Sequence, residues 1–381
     1  MTSRSSFPLK PAALAALGVG VLGLLGSAWR FSDALVRAKP VRRIVKAARV
    51  LAHGEGQVKL TRTAEDMRPG VLGLVWPEGH ALLGPACRIT RKTVTRPVLR
   101  LKGTLPVGAR VRPTSFVYSG TPTALGLDVQ DVTVPAPVGE MPAWLVPGER
   151  QDAWVILVHG YNGLREDALR VLPLFRRLGL PSLTITFRNA HGAPRTPDGY
   201  YRLGAAEWED LEAAVGYAQA HGARQVLLFG FSMGGNIVLS FLRRSSLAPL
   251  VVGAILDSPA LEWRSLLRHH ARRLHIPWAA GPLERATVFR SKQDFAAVDH
   301  LSVADTFTTP MLVFHGTADI TVPVEQSDAL STARPDLVEY VRAEGAKHIR
   351  VWTVDPEGYE GAVAGFVERV LGKQKGESCL S

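Results

Sequence analysis

Cysteine is nearly missing from this chain of 381 residues, which holds only Cys87 and Cys379. Two thiols exclude a disulfide framework and a cysteine-based zinc site as organising devices. No Walker A segment is present, so no nucleotide cofactor is expected. Acidic residues are almost absent from the first fifty positions, where nine Lys and Arg face Asp33 alone. That stretch carries +8, residues 51–150 carry +4, and 151–381 carry −1 of the total +11. A nucleic-acid binder places its basic face on the folded domain. Here the later two thirds are close to neutral, which excludes nucleic acid as a partner. At 46% hydrophobic and 21% charged residues, the composition is that of a globular chain.

Charge is also absent from Pro11 to Trp29 (PAALAALGVGVLGLLGSAW), a run of 19 residues. A bilayer-spanning helix needs roughly 17–25 such residues. Gly18, Gly20, Gly23 and Gly26 are tolerated in a membrane helix and poor in a soluble one. Arg4 and Lys10 precede the run, and Arg30, Arg37, Lys39, Arg42, Arg43, Lys46 and Arg49 follow it. Positive flanks stay on the cytoplasmic side. The expectation is a single N-terminal membrane anchor with the body inside the cell. The alternative is a signal peptide cut after Gly26-Ser27-Ala28, releasing a secreted body. Residues 34–51 are expected to lie along the anionic membrane surface, with Pro40 interrupting any helix there.

Four segments follow from composition and pattern: 1–50, the membrane segment with its basic flank; 51–125, β-rich; 126–372, α/β; and 373–381, a tail. In the second, Thr93–Thr95, Arg96–Leu101 and Ser115–Tyr118 read as short strands punctuated by Pro and Gly. Val129–Pro135 and Ala143–Pro147 open the third. Buried apolar strands are then expected at Trp154–Val158, Leu183–Phe187, Val226–Phe229, Gly253–Leu256 and Met311–Phe314. Helical periodicity covers Glu166–Leu178, Leu203–Ala220, Met233–Arg243, Val324–Ala333 and Gly358–Leu371. Continuous apolar strands alternating with helices predict a mostly parallel sheet covered on both faces.

Gly230-Phe231-Ser232-Met233-Gly234 fits G-x-S-x-G, a weak pattern by itself. Its setting strengthens it, because it follows the apolar strand Arg224–Phe229 and opens a helix at Gly235. Strand, sharp turn and helix are what presents a serine Oγ at the edge of a sheet. A serine hydroxyl needs a base to take its proton. His348, in the loop after the late strand Val338–Val341, is the candidate among eleven histidines. Asp319, shortly after Met311–Phe314, is the candidate for orienting the imidazole, and Asp257, at the end of Gly253–Leu256, is its rival.

The chain from about 150 to 372 resembles the α/β-hydrolase superfamily, being similar to bacterial esterases and to prolyl-oligopeptidase-like catalytic domains. HGYNG at 159–163, GFSMGG at 230–235, HGTADITVP at 315–323 and GAKH at 345–348 carry the resemblance. The resemblance implies a triad in the order Ser232, Asp319, His348. It also implies an oxyanion hole from the backbone N–H groups of Met233 and Tyr161, with Asn162 as the neighbouring alternative. No metal and no cofactor is implied. The implied reaction is hydrolysis of a carboxylic ester or related acyl bond of a small molecule. A peptidase on short peptides, a thioesterase or acyltransferase, and a non-catalytic scaffold on the same fold are the alternatives.

Other signals are weaker. Residues 259–309, with Trp263, Arg264, Arg268, Arg272, Arg273 and Trp278, read either as a partly basic cap over the pocket or as a solvated helix face. His269, His270 and His275 lack an acidic neighbour and are not expected to bind metal. Phe187–Gly192 is expected to buttress the neighbouring loops, and Glu207–Asp210 to be a helix face without chemistry.

Overall fold

The computed structural model describes residues 26, 29–39 and 47–372. Most of the uncharged run, and the tail from 373, lie outside the described residues. Among the described residues no helix is long and apolar enough to cross a membrane. The chain enters as a short helix, α1, at 29–36.

Seven strands come next: β1 (Ala48–Gly54), β2 (Gln57–Thr61), β3 (Leu72–Trp76), β4 (Gly79–Leu83), β5 (Arg88–Ile89), β6 (Thr93–Lys102) and β7 (Arg110–Thr114). They pair in the order β2-β1-β7-β3-β4-β6-β5, and β2 also pairs with β6. That extra pairing closes six strands into a small barrel with β5 attached outside. Alternate residues Val58 and Leu60 of β2 and Val94 of β6 point inward with Leu74 and Leu83 to form its core. Arg96 is fully buried, and its guanidinium donates to the carbonyls of Asp66, Gly70 and Gly84.

Two expectations change here. Residues 48–54 form a barrel strand, not part of a surface-lying segment, because Val50 packs into the barrel core. Ser115–Tyr118 is not a strand; Val117 turns to φ 67° and is buried against the second domain.

The second sheet has eight strands: β8 (Gln130–Ala136), β9 (Gly139–Val146), β10 (Ala153–Val158), β11 (Ser182–Ile185), β12 (Gln225–Phe231), β13 (Val251–Asp257), β14 (Met311–Gly316) and β15 (Val338–Ala343). Their order is β15-β14-β13-β12-β10-β11-β9-β8, with β9 antiparallel to both neighbours and the rest parallel. β10 and β14 are buried at every residue, which a sheet covered on both faces requires. The covering helices are α2 (Leu172–Arg177), α3 (Trp208–Ala220), α4 (Met233–Arg244), α7 (Glu325–Ala333), α8 (Val351–Val354) and α9 (Pro356–Gly372). α5 (Trp263–Arg273) and α6 (Ala280–Ser291) sit between β13 and β14.

The expected helix 203–220 begins later, at Trp208. Leu203 and Gly204 have positive φ, and the buried Glu207 carboxylate accepts from the backbone N–H groups of Arg202 and Gly204. Glu166–Leu178 is split into a 3₁₀ turn, Arg165–Ala168, and α2, since Pro173 cannot donate in mid-helix.

Candidate active site

β12 ends at Phe231 and α4 begins at Met233, leaving Ser232 alone on the turn between them with φ 54° and ψ −116°. A non-glycine residue at positive φ is strained and is held only where its surroundings over-determine it. Here the Ser232 N–H donates to the Asp257 carbonyl at 2.9 Å. A Cβ on Gly234 would stand 2.2 Å from the Val158 carbonyl oxygen, so only glycine lets α4 lie this close to the end of β10. The elbow raises Ser232 Oγ at the C-terminal edge of the sheet, where open α/β sheets place their ligands.

His348 follows β15 on the neighbouring loop. Its Nε2 lies 2.9 Å from Ser232 Oγ, and its Nδ1 lies 2.6 Å from Asp319 Oδ2. With Nδ1–H donating to the carboxylate, Nε2 is free to accept the serine proton. Asp319 is buried, which raises a carboxyl pKa, but hydrogen bonds from His315 and His348 outweigh burial and hold it well below the usual carboxylate range. Its Oδ1 accepts from the N–H groups of Thr321 and Val322 at 2.8 and 3.0 Å. His315, fully buried behind it, places Nε2 3.3 Å from Oδ2. These contacts leave the carboxylate one orientation.

Asp257, the rival acid, does not meet His348. Its Oδ2 takes bonds from Tyr359 Oη at 3.1 Å and Arg170 Nη2 at 3.5 Å, and its Oδ1 accepts from Ser258 Oγ at 3.0 Å. Ser258 Oγ in turn accepts from the N–H of Ile349, the residue after His348. Position at a strand end alone did not single out Ser258.

The loop after β10 runs beside the nucleophile. A Cβ on Gly160 would lie 3.0 Å from Ser232 Cβ, so the absent side chain is what brings Tyr161 this near. Met233 is the first residue of α4, and its N–H has no acceptor inside the helix. Asn162 faces away, its Oδ1 accepting from the Lys39 N–H. Tyr161 and Ser232 open on one cavity of about 830 Å³, near the top of the roughly 300–1,000 Å³ range of ligand pockets. Its walls are apolar and come from α1 (Phe31, Leu35), α5 (Trp263, Leu267) and α6 (Leu283).

Among the described residues no arginine lines the cavity, so the arginines of the 259–309 segment are not directed at it. Arg264 is paired with Glu284 and Asp294, and Arg268 with Glu262. His270 Nε2–H donates to the Thr321 carbonyl at 2.9 Å. Arg188 is held by Glu209 and Asp210 of α3, and Asn189 donates to the Tyr200 carbonyl, tying this segment to its neighbours. Glu207–Asp210 is thus more than a helix face: two of its carboxylates are buried anchors.

Residues 149–299 match the family described as "Serine aminopeptidase, S33", and residues 49–114 match a "Domain of unknown function (DUF8805)" that coincides with the barrel. No curated protein matches the chain by sequence. The esterase Pf2001 of Pyrococcus furiosus superposes with a TM-score of 0.54 at 20% identity, over 66% of this chain and 94% of its own. DcsB, solved with a substrate analogue, superposes at 0.50 and 14% identity, over 64% of this chain and 100% of its own. At these identities the likeness is one of fold. Strand order, elbow and family match agree: the chain has the α/β-hydrolase fold, and residues 149–299 are similar to the serine aminopeptidase family.

Proposed function

We propose that the protein is a serine hydrolase that cleaves a carboxylic ester or a related acyl bond. The observation that carries this reading is the hydrogen-bonded line Asp319–His348–Ser232 opening on an apolar cavity. In the proposed reaction Ser232 Oγ attacks the acyl carbon as its proton passes to His348 Nε2. The resulting oxyanion lies toward the N–H groups of Met233 and Tyr161, each such donor being worth about 10²–10³ in rate. The carbonyl re-forms, the ester C–O bond breaks, and His348 returns the proton to the departing alcohol. Water, deprotonated by His348, then attacks the acyl-enzyme, and Ser232 leaves with the proton. Asp319 stays ionised throughout and stabilises the imidazolium.

The aminopeptidase name of the matching family raises the alternative of peptide substrates. Such an enzyme must receive the free ammonium of a peptide, and among the described residues no Asp or Glu lines the cavity. The lining supports an apolar acyl substrate.

A fluorophosphonate probe tests the nucleophile. It should label the protein, and Ser232→Ala should abolish labelling and lower kcat by roughly 10³–10⁶ with the fold retained. Undiminished labelling of that variant would refute the assignment.

The uncharged run 11–29 and its basic flank further support a membrane anchor with the hydrolase on the cytoplasmic side. Resistance of the full chain to carbonate extraction is expected; a mature N-terminus at Trp29 would establish cleavage and export instead.

A further inference from the structure

α1 lies outside the hydrolase sheet and precedes the barrel, yet it forms one wall of the cavity that Ser232 opens on. Phe31, Ala34 and Leu35 face that cavity, while Ser32 and Val36 on the other side are fully buried. The helix is clamped at several points. Asp33 pairs with Arg37 and, across the cavity rim, with Arg290 of α6, both at 2.9 Å. Tyr200 donates its hydroxyl to the same carboxylate at 3.1 Å, and the Tyr201 N–H donates to the Val36 carbonyl at 2.8 Å.

The contact nearest the chemistry is made by Tyr161. Its hydroxyl, whose pKa burial pushes up to about 12, donates to the Ala34 carbonyl at 2.9 Å. Tyr161 is also the residue whose backbone N–H faces the proposed oxyanion. α1 therefore touches both the cavity and the loop that shapes the reaction centre.

Exposed apolar side chains continue outward from Phe31, Leu274 and Trp278 of the cavity lining. Trp29, Phe31, Leu274, Trp278 and Phe289 are 46–73% exposed, and the rings of Trp29 and Phe289 stand 5.9 Å apart. The Arg290 guanidinium sits 3.7 Å from the Trp29 ring, adding positive charge to the rim. Clustered exposed aromatics beside a pocket mark a surface that meets another apolar phase. The sequence leading into that rim is the uncharged run 11–29, whose last residue, Trp29, is the first of α1.

We propose that α1 is the wall of a long-chain acyl site, and that the rim of Trp29, Phe31, Leu274, Trp278 and Phe289 receives that chain from a lipid bilayer. This rests on the reading of Ser232 as the nucleophile. α1 thus determines chain-length specificity, and Tyr161 ties chain binding to the geometry of the oxyanion loop.

The full-length protein is assayed with p-nitrophenyl butanoate and dodecanoate, and separately by the rate at which ethyl and dodecyl fluorophosphonates label Ser232. Wild type should prefer the dodecyl probe and the dodecanoate. Ala34→Trp from α1, and Leu283→Trp from α6, should each lower the long-to-short ratio roughly tenfold or more, the scale of one or two methylenes of lost contact. Labelling by the ethyl probe reports that each variant is folded. A long-to-short labelling ratio near one in wild type, or unmoved in both variants, overturns the acyl site. Retention of that ratio with no ester turned over at either length leaves the site standing and removes the ester reading. For the source of the chain, Trp278→Ser with Phe289→Ser should slow hydrolysis of vesicles of dioleoyl phosphatidylcholine and phosphatidylglycerol more than hydrolysis of dissolved dodecanoate. Equal slowing of both overturns the bilayer as the source.

Discussion

Two buried carboxylates stand at adjacent strand ends of the same sheet, Asp257 after β13 and Asp319 after β14. Burial does not distinguish them, since both are almost wholly covered. Their partners do. Asp319 is met by two imidazoles and two backbone N–H groups, and one imidazole reaches Ser232. Asp257 is met by Arg170, Tyr359 and Ser258, and the Arg170 guanidinium lies 5.0 Å from the ring of Phe231 beside the elbow. In the proposed reaction one carboxylate is bound to the imidazole that carries the proton, the other to groups that take no part. The comparison teaches that a strand end supplies a position, while the donors around it decide the task.

The largest effect should come from neutralising Asp319. An amide cannot hold the imidazole in the productive tautomer, so Asp319→Asn should lower kcat by roughly 10²–10⁴ near neutral pH. Steady-state kinetics with a p-nitrophenyl ester reads this directly. A loss below tenfold would place the acid elsewhere and dissolve the contrast.

Asp257→Asn should behave in the opposite way. It leaves Arg170 buried without its counter-charge, a change that costs about 3–5 kcal/mol of stability. Denaturant unfolding should show that loss while kcat, measured where the variant is folded, changes far less than in Asp319→Asn. A deeper fall in kcat for Asp257→Asn would reverse the two assignments.

The same contrast bears on what the sequence made legible. Parallel strands and the elbow announce themselves through continuous apolar runs and turn glycines: the run Trp154–Val158 became β10, and Met233–Arg243 became α4 almost to the residue. His348 and Asp319 were chosen by their place after the late strands; the structure sets His348 Nε2 2.9 Å from Ser232 Oγ, with Asp319 on its other ring nitrogen. The barrel was legible only as β-rich. Its closure depends on β2 pairing with β6, some forty residues apart, and a pairing of that kind leaves no local periodicity. The end of the segment 34–51 was read differently for a related reason, since its last residues belong to β1. Nor did its basic pattern show that Arg37 meets Tyr200, far along the chain. Ser258 carried no pattern, and His315, although it opens the segment 315–323, gave no sign in the sequence that it meets Asp319.

Ser258 links Asp257 to the segment that carries His348, and it gives the smallest and most discriminating effect. Its hydroxyl donates to Asp257 and accepts from the N–H of Ile349, so it joins the structural carboxylate to the backbone that carries His348. Ser258 and Ile349 both adopt positive φ, at 53° and 46°, so the loop is held in a conformation it would not choose by itself. Ser258→Ala removes the bridge without removing a charge. A hydrogen bond of this kind is worth about 1 kcal/mol net, or roughly fivefold if all of it appears in kcat. As a positioning residue, Ser258 should lower kcat and leave KM unchanged, because the cavity walls are untouched. Its stability loss should be a fraction of that in Asp257→Asn. If Ser258→Ala instead fell to the level of Asp319→Asn, Asp257 would be acting on His348 through the hydroxyl. The line between structural and catalytic carboxylate would then run somewhere other than between β13 and β14.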